Sequence, residues 1–104
     1  MVIPQGTTPD ITCRFNIDLV DLSEAHNIYL TLAQNGRKLR KSGDSIAIID
    51  NCVCAFLSQK ETLWLDPDKE VQLEVNWTYS NGKRGKSVIK NLSVDETLEK
   101  EVLE

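Results

Sequence analysis

Between Glu70 and Tyr79, the apolar residues Val71, Leu73, Val75, Trp77 and Tyr79 alternate with Gln72, Glu74, Asn76 and Thr78. A period of two sustained over this length marks a β-strand with one face in a core and the other in water. The run stops at Ser80-Asn81-Gly82, whose Asn-Gly pair tolerates the positive φ of a tight hairpin. A second extended segment resumes at Lys86 and reaches Val94. The apolar face of this long hairpin, with a tryptophan and a tyrosine, is too large to leave in water, so the remaining chain must supply an opposing layer.

The same alternation recurs elsewhere. Residues 1–9 hold two prolines and a glycine, which keep the entry extended and exclude helix. Ile11, Cys13, Phe15 and Ile17 then share one face of a first strand, Asp10 to Asp18. Asp21-Leu22-Ser23-Glu24-Ala25 reads as a loop or one helical turn capped by Asp21 or Ser23. Ile28, Leu30 and Leu32 mark a second strand that stops at Asn35-Gly36. Lys38 to Lys41 returns as a short basic strand suited to a sheet edge. Ser42-Gly43-Asp44 turns the chain into a fourth strand, Ser45 to Ile49, and Asp50-Asn51 turns it into a fifth, Cys52 to Leu57. The fifth is apolar on both faces, which places it centrally or at an interface. Ser58 to Thr62 predicts a helical turn, and Leu63-Trp64-Leu65 a short strand before Asp66-Pro67-Asp68.

The fold expected from this rhythm is all-β: a single antiparallel β-sandwich of about seven strands, immunoglobulin-like, with a small barrel as the alternative. The immunoglobulin pattern of paired cysteines around a tryptophan is missing. A chain of 104 residues supports one core. The division expected is a β-sandwich domain, residues 1–94, and an acidic C-terminal tail, residues 95–104.

Charge sharpens that division. The net charge of −4 lies in the tail, where Asp95, Glu96, Glu99, Glu101 and Glu104 face a single base, Lys100. The neutral body argues against nucleic acid or an anionic membrane as a partner. The first residues lack the basic flank and apolar run of a leader, and no stretch approaches a membrane span, so the chain is expected to be made and folded in a cytoplasm. Three cysteines cannot all pair, and Cys52 and Cys54, two apart on a strand, point the same way. Reduced thiols are expected rather than a disulfide frame. A metal site would lack ligands, since His26 is the only histidine and no second Cys pair completes a set of four. No cofactor is implied.

Catalytic chemistry has little to stand on. His26 lies in a polar loop, Asp66 and Asp68 flank Pro67 as turn residues do, and no Gly-rich phosphate loop is present. A non-enzyme is expected. The two hairpin tips, Asn35-Gly36-Arg37-Lys38 and Asn81-Gly82-Lys83-Arg84, echo each other. Arg37, Lys38, Arg40, Lys41, Lys83, Arg84 and Lys86 account for seven of the twelve bases. If both tips lie at one end of the sandwich, they make a positive pole for phosphate, an acidic glycan or an acidic partner segment; otherwise they are solvated tips. Leu98, Val102 and Leu103 have helix-compatible spacing, so the acidic end either docks as a short helix on a neighbouring subunit's positive pole or frays. Trp64, beside the Asp-Pro turn, is the candidate interface anchor, and Trp77 belongs to the core. Asn76-Trp77-Thr78 and Asn91-Leu92-Ser93 match the glycosylation sequon, which matters only in a secreted chain.

Several short motifs together resemble a known group. Ile3-Pro4-Gln5-Gly6-Thr7-Thr8-Pro9, Leu22-Ser23-Glu24-Ala25, Leu57-Ser58-Gln59-Lys60-Glu61-Thr62 and Val75-Asn76-Trp77-Thr78-Tyr79-Ser80-Asn81-Gly82 resemble small proteins encoded in phage and prophage tail regions of Gram-positive bacteria. Those in turn are similar to the immunoglobulin-like N-terminal domain of phage baseplate upper proteins. The resemblance implies a non-enzymatic tail or baseplate module that contacts other virion proteins or copies of itself, and offers no catalytic residues. The rival expectations are a carbohydrate- or anion-binding module using the basic tips and a small cytoplasmic regulator that binds another protein.

Overall fold

The computed structural model describes residues 1–104. Nine strands and one short helix follow in order: β1 (Val2–Pro4), β2 (Asp10–Arg14), β3 (Asn27–Gln34), β4 (Arg37–Ser42), β5 (Ile46–Ile49), β6 (Cys52–Phe56), α1 (Gln59–Trp64), β7 (Val71–Thr78), β8 (Arg84–Lys86) and β9 (Lys90–Asp95). Two sheets form. One runs β1-β9-β7-β3-β4, with β8 also on β7; the other is β2-β6-β5. All pairings are antiparallel except that of β1 with β9.

The alternation read from the sequence decides which face each residue takes. Leu73, Val75 and Trp77 on β7 pair with Leu32, Leu30 and Ile28 on β3, and these inward rows meet Ile11, Val53 and Ala55 of the smaller sheet in one core. Phe15 meets Trp77 edge-on, with ring centroids 5.4 Å apart at 80°, a favoured aromatic geometry. The basic strand is at an edge, as its lysines suggest, and β6 is the central strand of its sheet.

Several expectations are corrected. The first strand ends at Arg14 instead of Asp18, because the Asn16 side chain accepts from the Asp18 amide and turns the chain; Ile17 is exposed. Leu63-Trp64-Leu65 is not a strand. Ser58 and Glu61 close a reciprocal capping box that starts α1, which runs through Trp64. The hairpin's second arm is broken into β8 and β9. Residues 1–9 hold no helix, as expected, but they are not extended throughout: Val2–Pro4 form β1, and a turn at Gln5-Gly6, with Gly6 at φ +78°, follows it. Asp95 belongs to β9 opposite Pro4, one residue past the expected domain limit.

The tail forms no helix. It lies as irregular chain against α1, where the Gln59 amide donates to the Leu103 carbonyl and accepts from the Leu103 N–H, both at 2.8 Å. Three further amide side chains bind backbone across loops. Gln5, 6% exposed, donates to the Leu65 carbonyl and accepts from Lys100. Gln34, 3% exposed, donates to the Asp66 and Lys69 carbonyls and accepts from the Asp66 amide. Asn51 ties the β5–β6 turn to the chain after β2.

Candidate interaction surface

The two basic tips do not meet. Because β3 and β7 are antiparallel, with Asn27 opposite Thr78 and Ala33 opposite Gln72, the β3–β4 turn and the β7–β8 turn close opposite ends of the sheet. No single positive pole exists, and the seven bases separate into three groups.

Arg37 and Lys41 take inward positions on β4, opposite Gln34 and Leu30, and hold α1 in place. Arg37 donates to the Trp64 carbonyl at 2.9 Å and stacks on the Trp64 ring, 5.3 Å from its centroid. Lys41 pairs with Glu61 at 2.7 Å. Burial pushes the Glu61 carboxyl up, but its bonds from Lys41 and the Ser58 amide and the nearby ammonium outweigh that, leaving it below the usual carboxylate range. These two bases therefore serve the fold. Trp64 is 39% exposed with one face under Arg37. Lys83 stands alone in the β7–β8 turn.

The remaining four bases share the outer face of the six-stranded sheet. β4 contributes Lys38 and Arg40, and β8 contributes Arg84 and Lys86. The cross-strand rows read Ser42, Tyr29, Asn76, Lys86 and then Arg40, Thr31, Glu74. The two basic pairs lie on β4 and β8, three strand spacings apart, or roughly 14 Å. Arg40 stacks on Tyr29, 5.4 Å from the ring centroid. On the other side Arg84 donates to the Asn76 side-chain oxygen Oδ1 at 2.8 Å, the Asn76 side-chain Nδ2 donates to Glu74 at 2.8 Å, and Lys86 contacts Glu74 at 3.4 Å. The Asn76 bond, then Lys86 and the charge of Arg84, hold the Glu74 carboxyl below its ordinary value against mild desolvation. Glu74 is the one carboxylate on these rows, and it is already countered.

Asn76 was legible only as a polar position of the alternation and a sequon. Its side chain is buried in this network, with the residue 8% exposed. The other singled-out groups stay apart. His26 is exposed, Asp66 accepts from the Asp68 amide within its turn, and Leu98, Val102 and Leu103 are exposed along the tail. All three cysteines are free thiols. Burial pushes the Cys13 thiol up, partly opposed by Lys90.

No protein-family model matches the chain, and no curated protein does. Among solved structures it is similar to the immunoglobulin-like domain of mouse leukocyte-associated immunoglobulin-like receptor 1, solved as a strand-swapped dimer. That similarity has a TM-score of 0.51 at 13% identity, over 92% of this chain and 88% of that one. The V domain of amphioxus IgVJ-C2 matches with a TM-score of 0.41 at 12% identity, over 92% of this chain and all of that one. The strand order and the receptor-domain similarity give an immunoglobulin-like β-sandwich.

Proposed function

We propose that the chain is a non-enzymatic structural or assembly module of a phage or prophage tail or baseplate, made in the bacterial cytoplasm and acting through protein–protein contacts. The observation that carries this reading is the outer face of the six-stranded sheet, where Lys38 and Arg40 on one border and Arg84 and Lys86 on the other flank Tyr29, Thr31 and Asn76. Asn76, Glu74 and Arg84 are already hydrogen-bonded to one another, so covering them leaves few of their polar groups unpaired. The basic borders fix the register of a partner that presents acidic groups at the same spacing. The resemblance of several short sequence motifs to those of tail-region proteins supports the virion setting. The strand-swapped dimer of the mouse receptor domain supports copies of the chain as one class of partner.

A photo-crosslinking side chain at Thr31 tests this in particles from an induced culture of the strain that encodes the chain. Capture of another particle protein, or of a second copy, from Thr31 but not from Ile49 on the other sheet is the expected result. Equal capture from both positions, or none from Thr31, contradicts it.

A second reading is favoured by the two guanidiniums presented on this face, Arg40 over Tyr29 and Arg84 beside Asn76: a module that binds an acidic glycan or another polyanion. It requires binding of a sulfated polysaccharide that falls steeply with salt and disappears in K38A/R40A/R84A/K86A. Capture of a host protein in place of a particle component would favour a cytoplasmic regulator.

A further inference from the structure

Between β2 and the β8–β9 arm the two sheets part, and the core opens in a cleft of about 560 Å³. Its floor is apolar, with Ile11 and Phe15 from one sheet and Leu73, Val75 and Trp77 from the other. One wall is β2, which pairs with β6 on one side and with nothing on the other. The Pro9 carbonyl and the Phe15 amide both bond toward the β6 side. Because backbone direction alternates along a strand, the N–H and C=O groups of Thr12 and Arg14 face the open side. An unpaired edge beside an apolar floor is a template for one more strand.

The opposite wall is open for a reason written in its register. Asn76 pairs with Lys86 and Leu73 with Lys90, so the returning arm spends one residue more than β7 between the two pairs, which is a β-bulge. Ser87 bridges the break: its N–H donates to the Val75 carbonyl at 2.8 Å, and its hydroxyl accepts from the Val75 N–H at 2.9 Å. Val88 is thereby turned out, 71% exposed, at a mouth that also holds Leu19, 83% exposed. The charged residues lining the cleft are Arg14, Lys86 and Lys90, with no Asp or Glu among them.

An occupant suited to this cleft is extended, acidic and apolar at alternate positions. Residues 96–104 come near that chemistry: four glutamates against Lys100, with Leu98 and Val102 on the same side of an extended chain and the long Lys100 side chain between them. Leu98 is 99% exposed and Val102 54%. In its own chain the tail leaves β9 past Asp95, in the direction away from the bulge, and rests on α1 through the Gln59–Leu103 bonds. We propose that the acidic tail of one copy docks in the cleft of a second copy, as a strand along the free edge of β2. Leu98 and Val102 cover the floor, and the glutamates meet Arg14, Lys86 and Lys90. The contact joins two different patches, so copies link head to tail and either close a ring or extend. It shares only Lys86 with the sheet face described above, and the Arg14, Lys90, Leu98 and Val102 substitutions below leave that face intact.

Native mass spectrometry of the full chain across protein concentration, at low and high salt, tests the proposal. Concentration-dependent oligomers that shrink in high salt are expected. Leu98→Glu/Val102→Glu in the tail and Arg14→Glu/Lys90→Glu at the cleft should each weaken association by at least about tenfold, with unchanged circular dichroism. Thr12→Pro, which removes an outward N–H from an edge strand that tolerates proline, does the same if the cleft pair misfolds. The decisive sample mixes the two double variants. The tail variant keeps an intact cleft and the cleft variant an intact tail, so they should form a 1:1 heterodimer and nothing larger. A full chain monomeric at every concentration, double variants that oligomerise like the parent, or a mixture that stays monomeric overturns the proposal.

Discussion

Replacing Asn51 by alanine should destabilise the domain by about 3 kcal/mol, a figure built from two separable parts. Asn51 has φ of +59°, after Asp50 at +50°, in the two-residue turn between β5 and β6. Its side-chain amide donates to the Phe15 and Val20 carbonyls and accepts from the Leu22 amide, each at 2.9 Å. Three bonds at a net ~0.5–1.5 kcal/mol each give about 2 kcal/mol when taken in the lower half of their combined range. Left-handed backbone adds about 1 kcal/mol for alanine, a strain that asparagine relieves locally. Asn51→Gly isolates the first part, because glycine accepts the same φ but makes no side-chain bonds; it should be more stable than Asn51→Ala by about 1 kcal/mol. Urea unfolding of the three chains measures this, with a constant slope showing that the folded and unfolded surfaces are unchanged. On heating, the alanine variant should melt at least about 10 °C lower for a domain this size. The same segment, through Phe15, Leu19 and Val20, lines the cleft, so loss of the clamp should also speed hydrogen exchange at the Leu22 amide. A loss below about 0.5 kcal/mol for Asn51→Ala, the range of ordinary surface changes, would refute the clamp. Equal losses for alanine and glycine would refute the strain part.

Gly85→Ala places a methyl into the Trp77 indole. That ring is fixed by its bond to the Tyr79 hydroxyl at 2.9 Å and by Phe15, so a loss of about 1–3 kcal/mol is expected with an altered near-ultraviolet dichroism signal; an unchanged signal counts against it. Glu61→Gln tests the pH dependence. The folded carboxyl lies below its ordinary value, so its contribution is complete above the unfolded pKa of about 4.3 and lost as pH falls through the lower folded value. The stability gap between parent and variant should be open at neutral pH and narrow in acid, and a pH-independent gap would sink the assignment. Gln34→Ala, which strips three bonds from the Asp66–Lys69 turn, should cost about 2 kcal/mol in chemical denaturation, whereas Gln72→Ala on the exposed face should stay within ~0.5 kcal/mol; comparable losses would mean that burial of Gln34 is incidental.

Much of the fold was legible because period-two alternation is local. Val71 to Tyr79 and Ile28 to Gln34 announce both strands and their inward faces, and lysines and arginines mark β4 as an edge. Ser58 and Glu61 are a capping box at its usual spacing; the apolar triplet Leu63-Trp64-Leu65 masks the helix they begin, because three apolar residues fit a strand equally well. The Asn-Gly dipeptide shows how turn chemistry can repeat without the turn repeating. Asn35 and Gly36 both adopt positive φ in a two-residue turn, whereas at the second tip only Gly82 does. There the Tyr79 amide bonds the Lys83 carbonyl around a three-residue loop.

What the sequence did not reveal is what depends on pairing order. That order puts the two tips at opposite ends of the sheet, collects Lys38, Arg40, Arg84 and Lys86 on one face, and assigns Arg37 and Lys41 to α1. The bulge was equally hidden, since Lys86 to Val94 reads as one arm until the register against β7 is known. Gln5, Gln34 and Asn51 carried one weak signal at most: Gln34 is a polar residue in the inward row of Ile28, Leu30 and Leu32. A buried amide there requires backbone partners from elsewhere in the chain, but pattern alone does not say which.

The central claim is that this immunoglobulin-like domain is a structural component of a tail or baseplate. The direct measurement is its copy number, by quantitative mass spectrometry, in particles purified from an induced culture of the strain that encodes it. The account predicts a fixed ratio of the chain to the other particle proteins, lost when Lys38, Arg40, Arg84 and Lys86 are all reversed to glutamate in a chain that still folds. A chain absent from the particles and recovered only free in the lysate would contradict it.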